Sequence, residues 1–597
     1  MGGLEKEGKR MRITRTKALV AVVAVAALGV TAACGSGANK SGGSGSEPKL
    51  SNAAVGHIAD PSDKAGGTIK FGLGGEWGDS VDPGDTYYGY SWDMLRNYAR
   101  TLVTFKTEPG KAGNELVPDL AEDLGVSSEG GKTWTYKLKS GLKFEDGSAI
   151  TSKDIAYAVK RTMATDVLKQ GPTYFGDMLN WPADYKGPYK QKDADVSSAI
   201  ETPDDQTIVF HLKQPFGGFD YLAQLPQTAP VPAAKDTGIK YKDHVISSGP
   251  YKFEGNYNPA SGFTLVRNDQ WDKSTDDIRR ALPDKMTVKL NMQADDVDNQ
   301  IIAGTLDVDI AGTGVQPAAL SKVLNTRDLQ DRADNPTLAR TWYTSIPGTV
   351  KPLDNIECRK AIIYGMDATS FQNAYGGKYA GGEIAGGLLP PMIPGYVESD
   401  PWGIKANPTG QPDKAKEALK KCGKPDGFSI NMGYRSERPK EKAVAEAFQQ
   451  ALGKVGIKVT PQAMPDGTYF SEQCGNPGYV VTNNVGLCAN GWGADWNDGF
   501  GFLSQIVDSR VIKPQGGSSN ISVRIPEVDK LLDKAIPDTN VDNRNQIWGE
   551  IDKLVSDSAY VYPGIYARSV LLRSKNTTNV FVNEAYGYYD YTAMGAK

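Results

Sequence analysis

One carboxylate lies between two tryptophans in a glycine-rich stretch, CANGWGADWNDGFGF, at residues 488–502. Asp495 is flanked by Trp492 and Trp496. Burying an unpaired charge is costly, and a surface loop rarely needs two tryptophans. We therefore predict that Asp495 awaits a positively charged partner from outside the chain, while the tryptophans exclude water and the glycines allow close backbone approach. A helix cap or an ion pair with a lysine of the chain are the alternatives.

Sequence motifs for catalysis or metal binding are missing. The chain has no G-x-S-x-G, no H-E-x-x-H and no C-x-x-C, and its only histidines are His57, His211 and His244. A secreted hydrolase would need a nucleophile and a general base, so this class is disfavoured. We expect no metal, no cofactor and no enzymatic activity.

The N-terminus has the build of an export signal. Basic residues precede an apolar run at 18–30, and small residues then lead to Cys34. This order resembles a lipobox, although Thr31 stands where that pattern prefers leucine. We predict a lipoprotein signal peptide over 1–33, then lipidated Cys34 and a Gly/Ser-rich tether over 34–65, with the chain anchored to the outer face of the cytoplasmic membrane. Ordinary cleavage that leaves a free cysteine is the alternative.

Charge and cysteine content fit an exported protein. The 597 residues include 67 basic and 71 acidic ones, and removing 1–33 leaves a net charge of −8. That balance argues against nucleic acid or an anionic lipid surface as partners, so the membrane is met only through the anchor. Without Cys34 four of the five cysteines remain, and this even number predicts two disulfides. Chain order favours Cys358–Cys422 and Cys474–Cys488, although four cysteines allow three pairings.

Hydrophobic patterns divide the chain into two regions. Strands are predicted in GGTIKFGLGG and KTWTYKLKSGLKF, while 170–193 is interpreted as an elaborated loop. After about residue 340 helices and strands alternate, which predicts an α/β lobe with a partly parallel sheet. NVGLCANGW is a predicted strand ending at the tryptophan motif, and ligands sit at such carboxyl ends. Strand character returns at 560–574, so both ends of the chain build the first lobe.

Several segments in order resemble the family 5 extracellular solute-binding proteins of ABC importers, the oligopeptide- and dipeptide-binding group. They include SVDPGDTYY, ELVPDLAEDLGVSSEGGKTWTYKLKSGLKFEDGSAITSKDIAYAVKR, SSGPYKFEGNYN, NIECRKAIIYGMD and GWGADWND. The resemblance implies an α/β, two-lobed periplasmic-binding-protein-like (type II, cluster C) fold with a hinge. Lobe one would span 66–339 plus 561–597, with an extra subdomain at about 101–237, and lobe two would span 340–560.

The resemblance also implies roles for individual residues. Asp495 would bind the α-ammonium of a peptide, and Trp492 would wall the pocket, with Trp496 beside it. Other candidates are Arg435 and Arg438 for the ligand carboxylate, Tyr87 and Tyr88 on the lobe-one side, and Tyr343 at the hinge. The alternative is that the arginines are exposed charges and the tyrosines only pack.

The resulting expectation is a monomeric capture protein that delivers short peptides to ABC permease subunits. An oligosaccharide or another small solute is the alternative ligand, and a purely structural lipoprotein is the alternative role. Asp498 and Gly499 depart from the acidic–proline pair usual in the family. If the ligand is not a peptide, we expect its recognition to differ from that of peptide binders at this position.

Overall fold

The computed structural model describes residues 49–597 except 75–76, 78–79, 437, 466–467 and 539. The predicted signal peptide, Cys34 and residues 35–48 of the predicted tether lie outside these residues. Within the described ranges, no helix combines the length and the apolar character that a membrane span requires.

Lobe one is organised by a five-stranded sheet in the order β11-β1-β10-β9-β8. A four-stranded sheet, β4-β5-β7-β6, lies within the predicted extra subdomain. The predicted alternation in β5 is confirmed, because Trp134 and Tyr136 are both buried. The strands of this half are β1 Thr68–Gly74, β2 Val103–Phe105, β3 Leu116–Pro118, β4 Val126–Ser128, β5 Thr133–Lys137, β6 Ile200–Glu201, β7 Thr207–His211, β8 Tyr251–Phe253, β9 Gly262–Arg267, β10 Lys285–Met292 and β11 Val308–Asp309.

Lobe two is organised by a six-stranded sheet in the order β14-β18-β13-β17-β15-β16. The pairs β15–β16 and β15–β17 are parallel, as predicted, and β13 runs antiparallel to β17. β17 ends at Gly493, so Asp495 follows closely at the carboxyl end of this strand. β12 Ala333–Asp334 precedes this sheet, whose strands are β13 Thr337–Ser345, β14 Gly382–Ile384, β15 Ser429–Arg435, β16 Lys458–Met464, β17 Val485–Gly493 and β18 Val561–Arg568.

The two crossings between the lobes lie next to each other. β13 and β18 pair as neighbours in the six-stranded sheet, so residues 561–568, which the resemblance gives to lobe one, lie beside β13. The chain then returns to lobe one, where Leu572 pairs with Ala333 and Arg573 bridges to Val308. The remaining strands are β19 Leu571–Leu572, β20 Thr577–Thr578, β21 Val582–Asn583, β22 Tyr588–Tyr589 and β23 Gly595–Ala596.

Helices cover both lobes. The predicted amphipathic helix after β15 is confirmed over Pro439–Gly453, with Val444, Phe448 and Ala451 buried. The described α-helices are Gly89–Leu95, Ser152–Arg161, Tyr174–Met178, Phe219–Ala223, Ala294–Ala303, Pro317–Asn325, Arg327–Gln330, Ile356–Gly365, Ala368–Ala374, Gly377–Ala380, Pro412–Lys421, Pro439–Gly453, Pro477–Thr482, Gly499–Val507, Pro526–Ala535 and Val541–Asp557.

Two disulfides support lobe two. Cys358 on helix Ile356–Gly365 is bonded to Cys422 at the end of helix Pro412–Lys421. Cys474 is bonded to Cys488 of β17, the strand that leads into the tryptophan motif. Both pairings favoured by chain order are confirmed.

One hydrophobic cluster extends from the extra subdomain into lobe two. It contains Phe216 and Phe219 from the subdomain together with Phe500 and Trp548 from lobe two. The two lobes therefore meet over the region where the predicted site residues lie.

Candidate ligand-binding site

The Asp495 carboxylate is held by two phenols from the opposite side of the cleft. The Tyr87 hydroxyl donates to Oδ2 at 2.9 Å, and the Tyr174 hydroxyl donates to the same oxygen. Tyr87 belongs to lobe one and Tyr174 to its extra subdomain, whereas Asp495 follows a lobe-two strand. The carboxylate therefore lies at the junction of the lobes.

The Asp495 carboxylate has no positively charged partner among the described residues. Burial raises the pKa of Asp495 to about 7, against the two phenol hydrogen bonds, which lower it. Burial likewise raises the pKa of Tyr87 and Tyr174, so both hydroxyls stay protonated donors. Across the described residues no Lys, Arg or His forms an ion pair with Asp495. A bound ammonium group would offset the cost of ionising this buried carboxyl.

Asp498, rather than Asp495, has the helix-capping role that was the alternative for Asp495. Asp498 is the N-cap of helix Gly499–Val507, and its Oδ1 accepts the Phe500 N–H at 2.8 Å. Its other oxygen lies 3.9 Å from Arg544. The departure from the family pattern at this position therefore has a local structural role, because the carboxylate satisfies an otherwise unpaired N–H of the helix.

The glycines of the motif make room for large side chains from neighbouring elements. A Cβ at Gly491 would overlap the Trp342 ring, and one at Gly499 would overlap Trp548. At Gly493 a Cβ would lie 3.0 Å from the Arg340 guanidinium. Their smallness serves close packing of the chain around Asp495.

Trp496 is an interlobe packing residue. It is fully buried, and its ring stacks on Tyr221 with centroids 5.8 Å apart. The same ring lies 5.1 Å from Tyr174, the phenol that binds Asp495. Trp492 is half-buried against the same cluster. Neither indole N–H has a hydrogen-bond partner among the described residues.

Polar contacts beyond Asp495 also join the lobes. The Asn497 amide donates to Asn114 Oδ1 at 2.6 Å and to the Glu584 carbonyl at 3.0 Å. The Gly217 N–H donates to the Ile536 carbonyl at 3.3 Å. The residues that follow Asp495 thus bind directly to lobe one.

The predicted tyrosines have three different surroundings. Tyr87 reaches Asp495 and stacks on Trp92, with centroids 5.9 Å apart. Tyr88 is 42% exposed and contacts the Tyr90 ring. Tyr343 is buried on β13 within the interlobe cluster, as a packing role would require. A ligand contact of Tyr88 or Tyr343 remains a prediction.

The predicted arginines share an internal carboxylate. Arg435 is buried, and its Nε donates to Glu441 Oε1 at 2.9 Å. Arg438 is more exposed and has its Nη1 3.8 Å from the same oxygen. The charge of Arg435 is therefore matched within lobe two, and recognition of a ligand carboxylate by either arginine remains a prediction.

Tyr174 and Tyr221 are site residues that sequence reasoning missed. Tyr174 starts the short helix Tyr174–Met178 inside the segment interpreted as an elaborated loop. Its richness in tyrosine was the only signal, and no periodicity shows which ring turns inward. Tyr221 lies on helix Phe219–Ala223, and only the tertiary fold brings it against Trp496.

Known proteins resemble this chain in sequence and in fold. Residues 115–513 match the family described as bacterial extracellular solute-binding proteins, family 5 Middle. The chain is 26% identical to the probable D,D-dipeptide-binding periplasmic protein DdpA of Escherichia coli strain K12, over 81% of this chain and 86% of that protein. It is 27% identical to the glutathione-binding protein GsiB of Pectobacterium atrosepticum, over 84% and 89% respectively.

Solved structures agree with this assignment. The clavulanic acid biosynthesis oligopeptide binding protein 2 superposes with a TM-score of 0.88 at 37% identity, covering 92% of this chain and 99% of the other. The periplasmic binding protein DppA of Helicobacter pylori, solved with the peptide STSA, shares the fold with a TM-score of 0.69 at 19% identity, over 89% and 99%. Because the family match covers more than half of its length, the chain belongs to the bacterial extracellular solute-binding proteins, family 5.

Proposed function

We propose that this protein captures short peptides between its lobes and delivers them to the permease of an ABC importer without chemical change. The observation that carries the proposal is the Asp495 carboxylate, which is half-buried at the lobe junction, held by two phenols and left without a cation in the described residues. A peptide α-ammonium supplies the missing charge. The dipeptide- and glutathione-binding relatives and the peptide complex of the H. pylori protein support a peptide ligand.

Closure would make this capture selective. Asp495 comes from lobe two and its phenols from lobe one, so an ammonium bound at Asp495 interacts with both lobes at once. Closing around the ligand removes water from the charge pair and strengthens it. A peptide backbone added along a strand edge would supply contacts that do not depend on side chains.

Ligand screening tests the proposal directly. Isothermal titration calorimetry at pH 8 with alanine peptides of two to five residues should show binding that N-terminal acetylation abolishes, because acetylation removes the ammonium charge. Oligosaccharides serve as the comparison set. Binding of sugars but of no peptide refutes the proposed ligand class.

We also propose that the mature protein is a monomer anchored by lipid on Cys34. An anchor of this kind, with the Gly/Ser-rich tether, keeps the lobes near the permease. Expression of the full chain in a bacterium should put it in the membrane fraction, and Cys34→Ala should move it to the soluble fraction. Equal distribution of both forms contradicts the anchor.

A further inference from the structure

A second charge without an ion-pair partner among the described residues lies on the strand that pairs with the Asp495 motif. Arg340 is half-buried near the start of β13, opposite Gly493 in the register with β17. Its guanidinium lies over Gly493, where a Cβ would be only 3.0 Å from Nη2, and 5.2 Å from the Trp342 ring centroid. Gly493 precedes Asp495 by two residues, so the arginine and the carboxylate share one end of the sheet.

The contacts around Arg340 continue into lobe one. The Tyr588 side chain lies near the Arg340 guanidinium, whose charge lowers the pKa of that phenol against the larger rise that burial causes. The Tyr588 ring packs on Gly89, where a Cβ would lie 3.2 Å away. Gly89 follows Tyr87 by two residues, and the Tyr87 hydroxyl binds Asp495. These neighbours place Arg340 and Asp495 at the same end of the lobe-two sheet, next to lobe one. The two side chains do not form an ion pair with each other.

Several enclosed arginines bind a carboxylate, and the buried Arg359 is held instead by the Leu353 and Ser558 carbonyls. Arg100 and Arg279 both bind Asp119, and Arg573 binds Asp334. In the part of the chain that the structure describes, no carboxylate lies within ion-pair distance, 4.0 Å, of Arg340. A half-buried cation with only aromatic partners keeps its donors available to an anion.

We propose that Arg340 binds the carboxylate of the ligand, so that Asp495 and Arg340 together select short zwitterions with an ammonium at one end and a carboxylate at the other. This inference rests on the proposed function and deepens it. The planar guanidinium suits a carboxylate, which it binds through two parallel hydrogen bonds. Arg435 and Arg438 are weaker candidates, because Glu441 already lies between them.

Comparing the binding of a peptide acid with that of its C-terminal amide tests this inference separately from the proposed function. The probe is the alanine peptide of two to four residues that binds tightest, used as the free acid and as the C-terminal amide, in calorimetry at pH 8. The variants are Arg340→Gln, Arg340→Lys and Arg438→Gln. Arg327→Gln is the matched control, because Arg327 is a surface residue paired with Asp331.

We expect wild type and the Arg327→Gln control to bind the acid about 10- to 100-fold tighter than the amide, as a charge-assisted hydrogen bond requires. Arg340→Gln should reduce that preference to about threefold or less, and Arg340→Lys should retain part of it. The lysine variant also keeps the test decisive if glutamine disturbs folding.

Three results overturn the Arg340 assignment. They are an unchanged acid preference in Arg340→Gln, loss of the preference in Arg438→Gln instead, and equal binding of acid and amide by wild type. Each of these occurs with peptide binding intact, so each refutes only this inference. If wild type binds no peptide at all, the proposed function fails and Arg340 loses its role with it.

Discussion

Replacing Asp495 by asparagine should change stability and binding in opposite directions. Burial raises the pKa of this carboxyl from 3.8 to about 7. One pKa unit corresponds to about 1.4 kcal/mol, so at pH 8 the ionised group lowers the free energy of unfolding by up to about 4 kcal/mol. The asparagine oxygen still accepts a phenol hydrogen bond. We expect Asp495→Asn to stabilise the ligand-free protein by about 2–4 kcal/mol at pH 8.

The pH dependence of that difference follows from the direction of the shift. Below about pH 3 the carboxyl is protonated in both the folded and the unfolded chain, and the pH-dependent part of the difference vanishes. Between about pH 4 and pH 7 the unfolded chain releases the proton while the folded chain keeps it. The stability of wild type should therefore fall relative to Asp495→Asn as the pH rises through this window, and the difference should be constant above it.

Peptide binding should respond with the opposite sign. Asparagine leaves the ligand ammonium without a counter-charge, which weakens binding by about 2–5 kcal/mol. In wild type the affinity should also decline as the pH falls below about 7, because Asp495 takes up a proton. Selection for ligand capture would then explain why a destabilising carboxylate occupies this position.

Urea unfolding at pH 5, 6, 7 and 8, with and without an alanine peptide, measures both effects. Subtracting the variant from wild type cancels other carboxyls with a raised pKa, such as Asp298 at about 7 and Asp552 at about 6. Asp220→Asn is the matched control, since Asp220 also accepts a phenol hydrogen bond, from Tyr136 at 2.8 Å, and should leave peptide affinity unchanged. Equal stability of wild type and Asp495→Asn at every pH, with equal peptide affinity, refutes the reasoning.

Two further predictions concern the framework around the site. Gly491→Ala should destabilise the protein by about 1–3 kcal/mol, because its Cβ would overlap the Trp342 ring, whereas Gly453→Ala, at an open helix position, should stabilise it by up to about 1 kcal/mol. A neutral Gly491→Ala in urea unfolding contradicts the packing argument. Replacing both cysteines of a disulfide by serine should cost about 4 kcal/mol for Cys358–Cys422 and about 3 kcal/mol for Cys474–Cys488, which close loops of different length. Urea midpoints ranked in the reverse order argue against loop entropy as the cause.

Much of the framework was predictable because its signals are local. Alternating apolar residues predicted β1 and β5, and helical spacing predicted Pro439–Gly453. The alternation of helix and strand predicted the parallel pairs of the lobe-two sheet. The pairing of residues 561–568 with β13 was not predictable from local signals, because the two strands are more than two hundred residues apart along the chain.

The sequence by itself determined that Asp495 is an unusual carboxylate, since its charge, its flanking tryptophans and its glycines are adjacent along the chain. Only the tertiary structure decided what surrounds it. Tyr87 and Tyr174 lie 408 and 321 residues away from Asp495 along the chain. Arg340 is placed opposite Gly493 by the pairing of β13 with β17. The structure also showed that Asp498 caps a helix and that Arg435 is already paired. Partners of a buried charge are chosen by folding in three dimensions, and no local pattern of residues encodes that choice.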